Sequence, residues 1–344
     1  MVRELERGEE GRWEAFVRNR AEHAVYLRAG WRQVLEETYG HDTRYLVAEE
    51  GGEVRGILPL LIVTSWWTGS YITSLPGGIC AAGEAAEDAL LEAAVRLTEE
   101  ADADYLVLRD GRRPWSDDLM TSEAHCTLAL ALPSDPQELW DGFDPKVRNR
   151  VRKAQKEGLS AFLGGAELVE PFYQVFSRNM RDLGTPVLSR DLVHNVMAAF
   201  PERARLIVVR QGERPVGGML LLRAGGLVHN PWISSRRDAF HLCPNDLLCW
   251  AGLGWACERG CRTFDFGRSQ WGTGTFRFKA KWGAEPEPLY YQYYLRRGSG
   301  IPDPALQAEE RAPYRWARRA WQRLPVGLTR LLGPPIVRVV NPLG

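Results

Sequence analysis

The chain has 344 residues, room for about two ordinary domains, and its 44% hydrophobic and 26% charged residues are those of a folded globule. Forty-four Lys+Arg balance forty-four Asp+Glu, yet all seven charged residues after position 310 are arginines, so residues 1–310 carry a net −7. Disordered, collagenous and disulfide-scaffold classes are excluded. The longest apolar runs, such as 56–63, fall far short of the ~20 residues that span a bilayer, and the N-terminal MVRELERGEE carries no apolar leader, so a cytoplasmic protein is expected.

In chain order, 45–61 is two apolar runs around Gly51-Gly52, the pattern of a hairpin. Residues 71–78 form a Gly/Pro-rich strand region. A helix follows over 84–101, apolar at 86, 90, 93, 94 and 97, and then a short strand at 105–110. Residues 136–158 read as one helix. It is apolar at its start (Leu139, Trp140, Phe143) and basic afterwards (Lys146, Arg148, Arg150, Arg152, Lys153, Lys156), so it should pack first and project charge later. Gly184 and Pro186 separate two helical patterns. A second hairpin is expected at 206–222, a strand region at 227–233, a helix at 246–259 and a strand at 264–269. The cationic end mixes Trp, Leu and Arg over 316–332. Trp316, Ala320 and Leu324 lie on one helical line, and Pro325 closes the helix after roughly two turns.

Hairpin, strand, helix and strand thus occur twice in the same order. At an offset of 161, Val47 matches Val208, Gly51 matches Gly212, Gly56 matches Gly217 and Leu60 matches Leu221. The chain is two copies of one α/β unit. The expected division is 1–145, 146–300 and a basic amphipathic tail, 301–344.

The second copy carries most of the chemistry-bearing residues. From Phe264 to Gly283 a strand end runs into Gly272 and Gly274, which permit close backbone approach, with Arg268, Arg277, Lys279 and Lys281 beside them. Cations at a glycine loop suit a phosphate or a developing oxyanion. The stretch has the outline of the Q/R-x-x-G-x-G/A loop of acyl-CoA N-acyltransferases, with Ser269 where Gln or Arg is required. Acid–base candidates are Asp265, Asp246, His229 and Tyr290 or Tyr291; Asn245 or Asp246 also suits a helix N-cap. The basic stretch reads either as a solvated helix face or as a patch for a polyanion, with no signal for sequence-specific nucleic-acid reading. The tail reads as an anchor for an anionic membrane surface or as a segment docked on its own domain. Six cysteines without metal or redox spacing read as small buried hydrophobes, Cys257 and Cys261 sharing a helix face; no metal site is expected.

Several stretches together resemble the FemABX-like aminoacyl (peptidyl) transferases, in particular the FemAB-related proteins of exosortase/PEP-CTERM exopolysaccharide systems. They are Tyr39-Gly-His41, 56–60, 146–153, 181–186, 244–248, 264–269, Phe278-Lys279, Lys281-Trp-Gly283, Leu324-Pro325 and Gly333-Pro334. The resemblance implies two tandem GNAT-like N-acyltransferase domains, each a mixed sheet flanked by helices, and an active site in the second. It implies amide formation between an activated acyl carbonyl and an amine on a cell-envelope or exopolysaccharide precursor, with no tightly bound cofactor. Lys279 is then the first candidate for the oxyanion cation and Lys281 the second, with Asp265 beside them. Arg268, Ser269, Gly272, Gly274 and Arg277 would bind the donor region, and Asn245, Asp246, Lys146, Arg150 and Lys153 the substrate. The family's usual donor is aminoacyl-tRNA. No 50-residue heptad stretch matches the helical arm of the classical FemA proteins, which sets acyl-CoA beside aminoacyl-tRNA as donor. The reading of another class is a non-catalytic scaffold peripheral to the inner face of the cytoplasmic membrane.

Overall fold

The computed structural model describes residues 1–21, 24–65, 69–298, 300–302 and 312–340; Arg311, the first tail arginine, lies outside them. The first repeat runs β1 (Val2–Glu4), α1 (Glu10–Arg20), α2 (Gly30–Tyr39), β2 (Asp42–Glu50), β3 (Glu53–Ser65), β4 (Gly69–Ser74), β5 (Cys80–Ala81), α3 (Glu84–Glu100), β6 (Tyr105–Gly111), β7 (Met120–Ala131). Two helices follow, α4 (Pro136–Gly142) and α5 (Pro145–Lys156). The second repeat is β8 (Leu159–Gly164), α6 (Val169–Leu183), α7 (Arg190–Ala199), β9 (Ala204–Gln211), β10 (Arg214–Ala224), β11 (Leu227–Ser235), α8 (Pro244–Glu258), β12 (Thr263–Gln270), α9 (Gly274–Ala280), β13 (Glu285–Leu295). Helices α10 (Ala312–Arg323) and α11 (Val326–Val340) close the chain. The repeat is therefore longer than the four elements legible in sequence, since β1, α1 and α2 return as β8, α6 and α7.

The two compact units are not consecutive stretches. One takes 1–125 with 288–303 and 338–342, the other 126–287 with 304–337 and 343–344. The sequence suggested linear cuts near 145 and 300. Instead the last strand of each repeat serves the other repeat's sheet, a long-range pairing that leaves no local signature. The first unit's strand order is β1-β2-β3-β4-β6-β13, and the second's is β7-β12-β11-β10-β9-β8. In each, one inner pair is parallel, β4 with β6 and β11 with β12. Both expected hairpins form. Gly51 and Gly52 (φ 59° and 84°) turn β2 into β3, where a side chain beyond glycine would be strained.

Alternation along the strands feeds two faces of the first sheet. Leu58 and Leu60 pack with Leu90 and Ala94 of α3, while Ile57 packs with Trp13 and Val17 of α1. In the second unit Ile207, Val209, Met219, Leu221 and Phe264 meet Leu248, Leu253 and Ala256 of α8. At ~25 cal/mol per Å² of apolar area removed from water, each such buried aliphatic side chain contributes about 1.5–3 kcal/mol.

The single helix expected over 136–158 is two. Asp135 Oδ1 accepts from the Gln137 N–H at 2.8 Å and Asp144 Oδ1 from the Lys146 N–H at 2.7 Å, each aspartate followed by a proline in the first turn. An Asp-Pro start is a cap, and the residue before proline resists helix, so the repeated dipeptide ends one helix and begins the next. Nor does the basic half merely project: Val147, Val151 and Ala154 bury one face of α5 along its length, and the charges take the other.

Candidate functional site

The parallel pairing of β11 with β12 runs for only three residues, ending at His229 opposite Asp265. Phe264 and Phe266 turn into the core, and Asp265 between them is 6% exposed. Its Oδ2 lies 3.0 Å from His229 Nδ1, and its Oδ1 accepts from the Thr127 hydroxyl and, at 2.8 Å, from the Gly267 N–H. Burial works to raise this carboxyl's pKa, but the His229 ring, the Thr127 hydroxyl and the Gly267 amide hold it down at about 2. An ionised carboxylate only accepts, so Nδ1 of His229 is the donor in this contact.

Gly267 then takes φ 77°, and a Cβ there would fall 2.5 Å from the Asn230 carbonyl oxygen. Glycine is required here by conformation and by space. Successive carbonyls of a regular strand point opposite ways. After this turn those of Gly267 and Arg268 both accept from Lys279 Nζ, at 2.7 and 2.9 Å. Lys279, on α9, is 6% exposed. Burial pulls its pKa down to about 8 against the upward pull of Asp265. Two of the ammonium's three hydrogens are committed to carbonyls, and the third is available to an acceptor.

Lys281 is not part of this group. Its Nζ donates to Asp246 and sits 4.2 Å from the Phe278 ring centroid. Arg150 Nε donates to the other oxygen of Asp246 at 3.0 Å, and that carboxylate is 1% exposed. Asp246 is the third residue of α8, whose cap position belongs to Cys243, so neither Asn245 nor Asp246 is an N-cap. Asn245 Oδ1 instead accepts from Ser235 Oγ at 2.5 Å. Lys146 and Lys153, one turn either side of Arg150, are exposed.

The glycine loop divides. Gly272 needs its φ of 68°, while a Cβ on Gly272 or Gly274 would meet nothing within 4 Å, so space demands glycine at neither. Arg277 donates to the Gly272 carbonyl at 2.6 Å. Arg268 is exposed, and Ser269 Oγ is buried with no hydrogen-bond partner among the described residues. Tyr290 and Tyr291 belong to the first unit, where Tyr291 lies under Arg109 and beside His125. Five of the six cysteines are buried, and burial pushes the Cys126 and Cys249 thiols up, away from the reactive thiolate. Cys257 ends within α8 and Cys261 lies past it, so the shared helix face does not form. Sequence reasoning missed Thr127. It lies 138 residues from Asp265, and a threonine in a strand gives no local sign of such a partner.

Among the described residues of the first unit no equivalent group is found. Thr73 opposite Val107 occupies the register of His229 opposite Asp265. Its Trp115 ring packs where a Cβ on Gly78 or Gly111 would fall, at 2.5 and 2.6 Å.

Residues 145–280 match the model of the Acetyltransferase (GNAT) domain. No curated protein matches the chain. Among solved structures the chain is similar to FemX (TM-score 0.66, 16% identity, 90% of this chain and 100% of that one). It is similar to a tandem GNAT protein from the clavulanic acid biosynthesis pathway (TM-score 0.58, 14%, 87% and 99%) and to L-PGS from Bacillus licheniformis (TM-score 0.56, 14%, 92% and 99%). At these identities the likeness is one of fold, the tandem of two GNAT-like α/β domains that the family resemblance implied and the internal repeat supported. The matched Acetyltransferase (GNAT) domain supports an acyltransferase.

Proposed function

We propose that this FemABX-like tandem GNAT protein is an N-acyltransferase whose chemistry resides in the second unit. It would move an aminoacyl or acyl group from an activated donor to an amine of a cell-envelope or exopolysaccharide precursor. The observation that carries the reading is the buried Lys279 ammonium, anchored on two carbonyls with its third hydrogen given no partner among the described residues, beside the His229–Asp265–Thr127 chain.

In this reading the acceptor amine attacks the donor carbonyl, and the oxygen that becomes negative receives the third hydrogen of Lys279. His229 Nε2 takes the proton the amine sheds. Asp265, ionised and holding three donors, keeps the ring in the required tautomer and is not itself the base. The leaving group, an ester oxygen or a thiolate, departs as the tetrahedral centre collapses to the amide. Arg268 supports the donor. Lys146, Arg150 and Lys153 offer cations to acceptor phosphates, with Asp246 fixing Arg150 and Lys281 in place.

The test is mass-spectrometric detection of an amide product with acetyl-CoA, longer acyl-CoAs and charged tRNA, each offered with an amine-bearing nucleotide- or lipid-linked sugar. One donor should support turnover, and His229→Gln should lower kcat about 100-fold with little change in KM. No product with any donor, with function in the producing cell surviving Lys279→Ala, would leave the scaffold reading standing.

A further inference from the structure

The two closing helices have one clamped side and one bare side. Arg318 Nε donates to the Leu183 carbonyl at 2.9 Å, Gln322 to that of Asp182 at 3.1 Å, and Arg330 Nε to Ser177 Oγ at 2.8 Å. Arg181 donates to the Leu324 carbonyl at 3.2 Å. On α11, Thr329, Gly333 and Val337 are buried at a four-residue spacing, and a Cβ on Gly333 would fall 2.8 Å from the Val187 backbone. The segment is therefore seated on its own unit at α6 and the loop that follows, and the line Trp316–Ala320–Leu324 is not what organises it.

The opposite side of α11 is an apolar stripe open to solvent. Leu328, Leu331, Leu332 and Pro335 recur at helical spacing, Leu331 being 71% exposed. Trp316 on α10 is 69% exposed, with Arg315, Arg319 and Arg323 exposed on the same helix. Residues 312–340 hold six arginines and no acid. No described helix is long and apolar enough to cross a membrane, and Pro334 and Pro335 interrupt this one.

We infer that this bare side is a docking surface for an anionic lipid bilayer. Leucines on one line enter the acyl-chain boundary, Trp316 lies at the headgroup level, and the arginines pair with anionic headgroups. The charge selects this occupant: a partner protein would have to neutralise the exposed Arg315, Arg319 and Arg323, with no acid in residues 312–340 to share the task, whereas an anionic leaflet does so by composition. Because the clamped side is satisfied within the chain, docking requires no unfolding of the helices, and the surface is preformed.

The test is co-sedimentation of the full chain with phosphatidylglycerol vesicles and with phosphatidylcholine vesicles, at low and high salt. Binding to the anionic vesicles is expected to be strong and to weaken with salt. The double variant Leu328→Glu/Leu331→Glu should bind them at least about tenfold more weakly with an unchanged thermal melt. Arg315→Gln/Arg319→Gln/Arg323→Gln, all at exposed positions, should lose about fivefold per arginine and carries the test should the leucine variant not fold. Failure of the wild type to sediment with phosphatidylglycerol overturns the inference, as does undiminished binding by the variants. A wild-type dimer that the leucine variant splits would make the face a self-interface and overturn it as well.

Discussion

Replacing Lys279 by methionine keeps the length of the side chain and removes the ammonium. In the wild type at pH 7 that charge is buried at a cost of ~3 kcal/mol relative to a solvated lysine, from a pKa lowered from 10.5 to about 8. The variant escapes this cost. It leaves the carbonyls of Gly267 and Arg268 without their donor, at about 1–3 kcal/mol for each that stays dry. Arg268 is exposed, so its carbonyl can take water instead. The opposing effects leave a net change within about 2 kcal/mol, a shift of under roughly 8 °C in Tm for a domain of this size. Loss of an oxyanion donor, by contrast, costs about 100- to 1000-fold in kcat. Stability should therefore survive where activity does not. The pH dependence gives a second signature. Between pH about 8 and 10.5 the unfolded chain holds more protons at this lysine than the folded one, so its contribution to unfolding free energy rises with pH across that window. Urea melts at pH 7 and pH 10 should show this rise in the wild type and its absence in Lys279→Met. A kcat within fivefold of wild type, or a collapse in stability that tracks the loss of activity, would refute the assignment.

The rate of amide formation should fall as pH passes about 8, where Lys279 loses the proton it donates, and a rate that climbed through that pH would make the lysine a base instead. Gly267→Ala meets both a φ of 77° and the Asn230 carbonyl at 2.5 Å, so calorimetry should show a Tm lower by roughly 5–10 °C. Gly254→Ala, in α8 with nothing within 4 Å of its Cβ, should raise Tm by a degree or more.

The internal repeat was legible because hairpins and amphipathic helices write their period locally. An apolar residue every second or every third to fourth position, with glycines at the turns, is enough to identify β2–β3 and β9–β10 and to align them. The break at Asp144-Pro145 is equally local, but the apolar pattern runs on through it and masks it. Lys279 stood out as a cation in a glycine-bearing loop. Sequence could not separate it from Lys281 two residues on, because a helix turns two such side chains to different neighbours and only packing names them: carbonyls for Lys279, Asp246 for Lys281.

What sequence by itself determined is the pair of α/β units, the acidic body and the acid-free cationic end. The tertiary structure decided which strand completes which sheet, that Thr127 and His229 reach Asp265, and that the tail presents Leu328 and Leu331 outward. Strand exchange and side-chain pairing over a hundred residues have no period, since they arise where distant segments meet. The composition fixed seven arginines after position 310, and the fold turned Arg318 and Arg330 onto the seat and left the apolar stripe bare.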